Sequence, residues 1–187
     1  MEIKIRKAIK EDAEAFHKVG LASRLSAYAH IFSKEVLERQ EAELPRQIKD
    51  MPERLKRQSQ YYYVAIVDEK VVGSLVVMLS SNYPRYKSLG YADLEAIHVL
   101  PEYQGMGIGR KFFNAATKIL LKNGATKMII GVLKDNHKAR AVYEKLGGVL
   151  DDYEQPYIKF EESYDEVFYK FEPLEKFVSK RSKPTTN

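Results

Sequence analysis

Polar and apolar side chains alternate through Met1-Glu2-Ile3-Lys4-Ile5-Arg6, the period-two rhythm of a half-buried strand. From Glu11 to His30 the rhythm lengthens: Phe16, Val19, Ala22 and Leu25 fall on one helical face, which predicts a first helix. Ser33 is placed to cap a second helix from Lys34, and Pro45 and Pro52 should break it into pieces because proline cannot donate to the helical ladder. Tyr61 to Val67 and Val71 to Leu79 are rich in β-branched and aromatic residues and are separated by Asp68-Glu69-Lys70, which predicts a hairpin. Asp93 to Val99 reads as another strand, stopped by Pro101.

The next stretch carries the topology. Ile108, Phe112, Ala115, Ala116, Ile119 and Leu120 repeat at helical spacing between Gly107 and Asn123, with Gly124 placed as the C-terminal cap. Lys127 to Leu133 is an apolar, β-branched run, so strand, helix and strand form a crossover that makes the two strands parallel. Asn136 to Leu146 predicts a shorter helix ending at Gly147-Gly148, and Val149 to Phe160 with Tyr164 to Phe171 predicts a closing hairpin. The order β, α, α, β, β, β, α, β, α, β, β describes an α/β (α+β) mixed sheet flanked by helices.

Composition narrows the function classes. A chain of 187 residues, 44% hydrophobic and 30% charged, fits one folded domain, expected over 1–172. The net charge of +5 is concentrated in a basic tail over 173–187, expected to be flexible, where Lys176, Lys180, Arg181 and Lys183 stand against Glu175; the body keeps only +2. That distribution argues against nucleic acid as a partner and leaves the tail to flex. No apolar run approaches the ~20 residues that span a bilayer, and the start lacks the order of a secretion signal, so a cytoplasmic monomer or homodimer is expected. With no cysteine and four scattered histidines there is no disulfide, no thiolate nucleophile and no metal-ligand spacing.

The sharpest signal is Gln104-Gly105-Met106-Gly107-Ile108-Gly109-Arg110 at a strand-to-helix junction. Three glycines at alternate positions let successive amides converge on one anion, and the first turn of a helix leaves N–H donors and partial positive charge for a phosphate. The spacing is neither a dinucleotide fingerprint, which would need glycine at Arg110 or Phe112, nor a P-loop, which needs Gly-Lys-Ser/Thr. A pyrophosphate site of another kind fits better; the bland alternative is a tight connection only.

Gln104-x-x-Gly107-x-Gly109 resembles the central motif of the GCN5-related N-acetyltransferase (GNAT) superfamily, with Ile97 to Tyr103 as its strand and entry turn. Asn136-x-x-Ala139-x-x-Val142-Tyr143-x-x-x-Gly147 resembles that family's second motif, although Gly148 replaces the apolar residue many relatives have there. The likeness covers Asp93 to Leu150 strongly. It implies a mostly antiparallel sheet of about seven strands with about four helices, and splayed parallel strands that form a cleft for acetyl-CoA. By this likeness the turn Gln104, Gly105, Met106, Gly107, Ile108, Gly109 and Arg110 binds the cofactor, its backbone amides holding the CoA pyrophosphate. Backbone groups of Ile97, His98 and Val99 pair with the pantetheine arm and acetyl carbonyl, Asn136 contacts the cofactor, Tyr143 serves the sulfur, and Arg140 reaches a phosphate.

Transfer of acetyl to a primary amine needs no enzyme nucleophile, only a neutral amine, a polarised carbonyl and a proton for the thiolate. Glu95 is the preferred base, with Asp93 on the same strand face and His98 expected on the opposite one. The acceptor, a small molecule, peptide or protein amine, should meet Leu21 to Gln60, the Ser80 to Leu89 loop and the last hairpin, where Tyr28, Tyr83, Tyr86, Tyr153 and Tyr157 can line a pocket. Two competing readings are a CoA-binding sensor without turnover and a nucleic-acid module using the tail.

Overall fold

The computed structural model describes residues 2–178. Seven strands form one sheet in the order β1-β2-β3-β4-β5-β7-β6, with β4 and β5 parallel and every other neighbouring pair antiparallel. β1 (Lys4–Lys7) leads into α1 (Ala13–Tyr28). α2 (Lys34–Ala42), capped by the Ser33 side chain, and α3 (Leu44–Arg54) are two pieces of the expected second helix. Pro45 opens α3, where its missing N–H costs nothing, and Pro52 falls in its last turn.

β2 (Gln60–Val67) and β3 (Lys70–Met78) close through Asp68-Glu69, both at positive φ. α4 (Pro84–Ser88) was not predicted, and with the split second helix it brings the described helices to six rather than about four. β4 (Ala92–Val99), α5 (Ile108–Lys122) and β5 (Met128–Leu133) form the expected crossover. α6 (His137–Lys145) precedes β6 (Val149–Lys159) and β7 (Glu162–Phe171). β7, not β6, lies against β5, which leaves β6 at the sheet edge. That edge carries a register shift between Leu150 and Glu154, and then Pro156.

The main core lies on one face of the sheet, where Phe112, Phe113, Ala116 and Leu120 of α5 bury against Leu75, Leu94, Ile130 and Phe171. On the other face α1 crosses β3 and β4, and Phe16 and Met51 pack with Tyr62 and Val64. Folded structure runs past position 172: Leu174 is fully buried, and Phe177 packs at 5.2 Å from the Phe171 ring, so this part of the expected tail is docked on the core. The rest of that tail, 179–187, lies outside the described residues.

Candidate active site

The strands β4 and β5 are paired only at Ala92 with Met128 and Asp93 with Ile129, although β4 continues to Val99 and β5 to Leu133. Beyond Asp93 they part, and a wedge opens between two backbone edges. A bulge in β4 accompanies the parting. Ala96 pairs with Val76 and Leu94 with Val77, so Glu95 is the extra residue, opposite nothing on β3.

The bulge resets which side chain faces where. Leu94, Ile97 and Val99 face the core, whereas Asp93, Glu95, Ala96 and His98 all line a cavity of ≈ 380 Å³ on the α1 face. The expectation that His98 opposes Glu95 is therefore overturned. Strict alternation fails because one extra residue shifts the phase of the strand.

Backbone groups on the open edge follow from the ladder. Leu100 donates its N–H to the Val72 carbonyl at 2.9 Å, so the alternate residues Ile97 and Val99 turn their polar groups away from β3, toward the wedge. The Val99 carbonyl accepts from Gln104 Nε2 at 3.2 Å, and Gln104 Oε1 accepts from Lys138 Nζ at 2.8 Å. The Gln104 side chain thus braces strand, turn and α6 together.

The glycine turn sits at the mouth of the wedge. Gly105 and Gly107 have φ of 79° and 83°, left-handed values that disfavour any side chain with a Cβ. Buried Ile108 pins the turn to the core while Met106 is 45% exposed. The first α5 bond in the helical ladder runs from Lys111 N–H to the Gly107 carbonyl, leaving the N–H groups of Ile108, Gly109 and Arg110 ahead of it. A Cβ built at Gly105, Gly107 or Gly109 would meet nothing within 4 Å, so the space before these donors is open. Exposed Arg110 stands beside it. The turn is a cradle for a multiply charged oxyanion.

The α6 residues close the other side. Asn136 is buried and caps the helix, its Oδ1 accepting from Ala139 N–H at 3.1 Å. Tyr143, two turns on, packs at 5.8 Å from the Tyr169 ring. Burial raises its phenol pKa, and the nearby Tyr28 hydroxyl adds to the rise, so the phenol keeps its proton at neutral pH. Arg140 donates to the Tyr169 hydroxyl at 3.2 Å and to the Lys134 carbonyl at 2.9 Å, which engages much of its fork within the protein.

Three carboxylates line the cavity. Glu95 Oε2 accepts from Asn82 Nδ2 at 2.8 Å, and its pKa is raised by burial. Asp93, 2% exposed, accepts from the Ser81 hydroxyl at 3.1 Å and the Asn82 N–H at 3.4 Å. Burial, then the neighbouring Glu95 charge, pushes its pKa up to about 7. Glu166 on β7 accepts from Tyr83 at 2.8 Å and Gln155 at 3.1 Å, and burial raises its pKa too. His98 is held neutral: burial, then the Arg24 guanidinium, lowers its pKa to about 3, so it is a poor base near pH 7. Of the five tyrosines expected at a pocket, Tyr28, Tyr83 and Tyr157 line it, while Tyr86 and Tyr153 pack around Phe168 instead. Glu166 and Arg24 escaped the sequence reading because only the β5–β7 register and the α1 packing bring them here. Among the described residues no cluster of three metal-ligating side chains occurs, and no helix is long and apolar enough to cross a membrane.

Comparison with known proteins bears on this arrangement. The model of the acetyltransferase (GNAT) family matches residues 25–148. The spermidine N(1)-acetyltransferase of Thermoplasma acidophilum is 27% identical over 168 residues, covering 88% of this chain and 99% of that protein. A thialysine N-epsilon-acetyltransferase of Mus musculus is 36% identical over 77 residues, 40% of this chain and 45% of that one. The fold matches the crystal structure of the PaiA N-acetyltransferase from Thermoplasma acidophilum in complex with coenzyme A. The TM-score is 0.72 and the identity 23%, with 91% of this chain and 100% of that one covered.

Proposed function

The chain belongs to the acetyltransferase (GNAT) family, and on that premise we propose how its own residues divide the labour of the reaction. It is an N-acetyltransferase whose donor is acetyl-CoA. The observation that carries the assignment of residues is the wedge beyond Asp93 with the open glycine cradle at its mouth. The cradle amides from Gly105 to Arg110 suit the pyrophosphate. The free edge of Ile97 and Val99 suits an extended amide-bearing arm, which can add itself like a strand. Asn136 holds α6 against this channel, and Tyr143 stands on that helix.

The thioester supplies an activated acetyl group. An acceptor amine entering from the α1 face meets Glu95 on the bulge. The amine nitrogen forms its bond to the acetyl carbon as the carbon–sulfur bond breaks; Glu95 takes the proton that leaves nitrogen, directly or through water, and the Tyr143 hydroxyl supplies one to the departing sulfur. Glu95 and Glu166 draw the acceptor in as an ammonium, which gives a first proton to solvent before its lone pair can attack; the second, released as the amide forms, is the one Glu95 takes. We place the reaction in the cytoplasm.

Release of free thiol from acetyl-CoA across a panel of primary amines tests the scheme. Tyr143→Phe should lower kcat by about 10²-fold or more while leaving CoA affinity within about twofold, since acid–base groups contribute on the order of 10²–10⁴. Unchanged turnover would remove Tyr143 as the donor. Failure of every amine on the panel to elicit thiol release, together with tight acetyl-CoA binding, would mark the protein as a CoA sensor.

A further inference from the structure

The carboxylate-lined cavity continues into a second one. A space of ≈ 350 Å³ lies under α1 and α3 and shares Arg24, Asn82, Glu95, Ala96 and His98 with the first, so the two are compartments of one cleft with Glu95 on their common wall. Their charges are opposite. The first holds Asp93, Glu95 and Glu166 against Arg24. The second holds Arg24, Arg54 and Arg57 against Glu95, and its His17 is kept neutral by burial, which lowers its pKa to about 4.

These guanidinium groups lack carboxylate partners. Among the described residues none of Arg24, Arg54 and Arg57 makes an ion pair within 4.0 Å, whereas Arg6 pairs with Asp12, Arg39 with Glu161 and Arg46 with Glu43. Arg24 is half-buried, and its contacts are neutral: Nε donates to Gln40 Oε1 at 3.1 Å, and Nη1 stands 3.5 Å from His98 Nε2. Burying a guanidinium among neutral partners is costly, and an anion arriving beside it recovers that cost. The same compartment presents two buried polar atoms without a partner among the described residues, Ser74 Oγ and His17 Nε2. A purely cationic acceptor would leave this end unmatched and would be repelled by it.

We propose that the acceptor is a primary amine that also carries an anionic group, a carboxylate or a phosphate monoester, held by Arg24 and Arg54 while the amine lies at Glu95. The inference rests on the N-acetyltransferase reading and selects among its acceptors. Arg54 ends α3 and reaches the cleft from the surface, so it sets specificity; Arg24 lies between the compartments and orients the acceptor across them.

Calorimetric titration of the CoA-saturated enzyme with matched four-atom ligands tests this. The ligands are 4-aminobutanoate, 3-aminopropyl phosphate, butan-1-amine and butane-1,4-diamine. One of the two anionic amines should bind about tenfold or more tighter than both others, and which one it is names the anion. Arg54→Gln should remove that advantage and leave butan-1-amine binding unchanged; Arg24→Gln should do the same if it folds, and Arg54 carries the test if it does not. A diamine that binds as tightly as the tighter of the two anionic amines would overturn the proposal, as would an Arg54→Gln loss equal for all four. Thiol release from acetyl-CoA with the same ligands is measured separately. Its absence would sink the transferase reading, while the binding order would still decide the charge of the ligand.

Discussion

At the residue scale, the site turns on Glu95 and Asp93, adjacent carboxyls that share a wall yet differ in environment. Glu95 stands on a bulge, open to the cavity and held by Asn82, whereas Asp93 is sealed beneath it. Glu95→Gln should lower kcat/KM by about 10²-fold or more with intact acetyl-CoA binding. A base works only when deprotonated, so wild-type kcat/KM should carry, besides the rise from the acceptor's own deprotonation, a limb from Glu95 displaced above the ordinary carboxylate range, and the Gln variant should lose that limb alone; a pH profile from 4 to 9 checks both. Asp93 gives a second, thermodynamic signature. Its folded pKa of about 7 exceeds the unfolded 3.8, so the native state binds the extra proton between them, and the stability it contributes is lost as pH rises through that window. Asp93→Asn should therefore gain in melting temperature relative to wild type between pH 5 and pH 8. The identity of these carboxyls was legible in the strand Asp93 to Val99, but not which way each residue faces. Two-fold alternation assigned His98 to the far side, and one unpaired residue at Glu95 reversed it. A bulge leaves no mark in composition, because it depends on how the partner strand β3 is registered.

At the element scale, the glycine turn was readable because the chemistry demands unusual residues. Only glycine sits comfortably at φ near 80°, and only a missing Cβ lets an anion approach the amides. Two variants separate these roles. Gly107→Ala should cost about 1–2 kcal/mol of stability from its left-handed backbone and also weaken acetyl-CoA binding. Gly109→Ala, within the right-handed helix and with open space before it, should spare stability yet still weaken binding by placing a methyl in the cradle. Chemical denaturation and calorimetry read the two effects; equal stabilities for both variants would contradict the strain argument. Other elements were less legible for physical reasons. The last hairpin turns on Phe160-Glu161, both at positive φ without glycine or asparagine, so the usual turn signal is missing and the strand ends were displaced by one or two residues. The five-residue α4 is too short to show a helical period.

At the scale of the whole molecule, alternation and helical spacing conveyed a mixed sheet with a parallel crossover, because local periods report local elements. They were silent on the insertion of β7 between β5 and β6, which depends on how the final hairpin docks. That docking completes the site, since Leu133 of β5 pairs with Glu166. The segment after β7 belongs to the same assembly: Leu174 is fully buried, and its N–H donates to the Thr126 carbonyl at 2.8 Å. Leu174→Ala should cost about 2–5 kcal/mol, as for other large-to-small changes in a core, and thermal melting would show it. A change under about 0.5 kcal/mol would mean that this segment is only loosely held. The sheet margin at β6 has a consequence of a different kind. An eleven-residue strand with Val149 and Ile158 more than 60% exposed would ordinarily invite a neighbouring chain to zip onto its free backbone groups. The register shift after Leu150 and the missing N–H of Pro156 break that row into short stretches, too discontinuous to template a long ladder. Replacing Pro156 with a β-branched residue would mend the template, and the price would appear as turbidity on concentration.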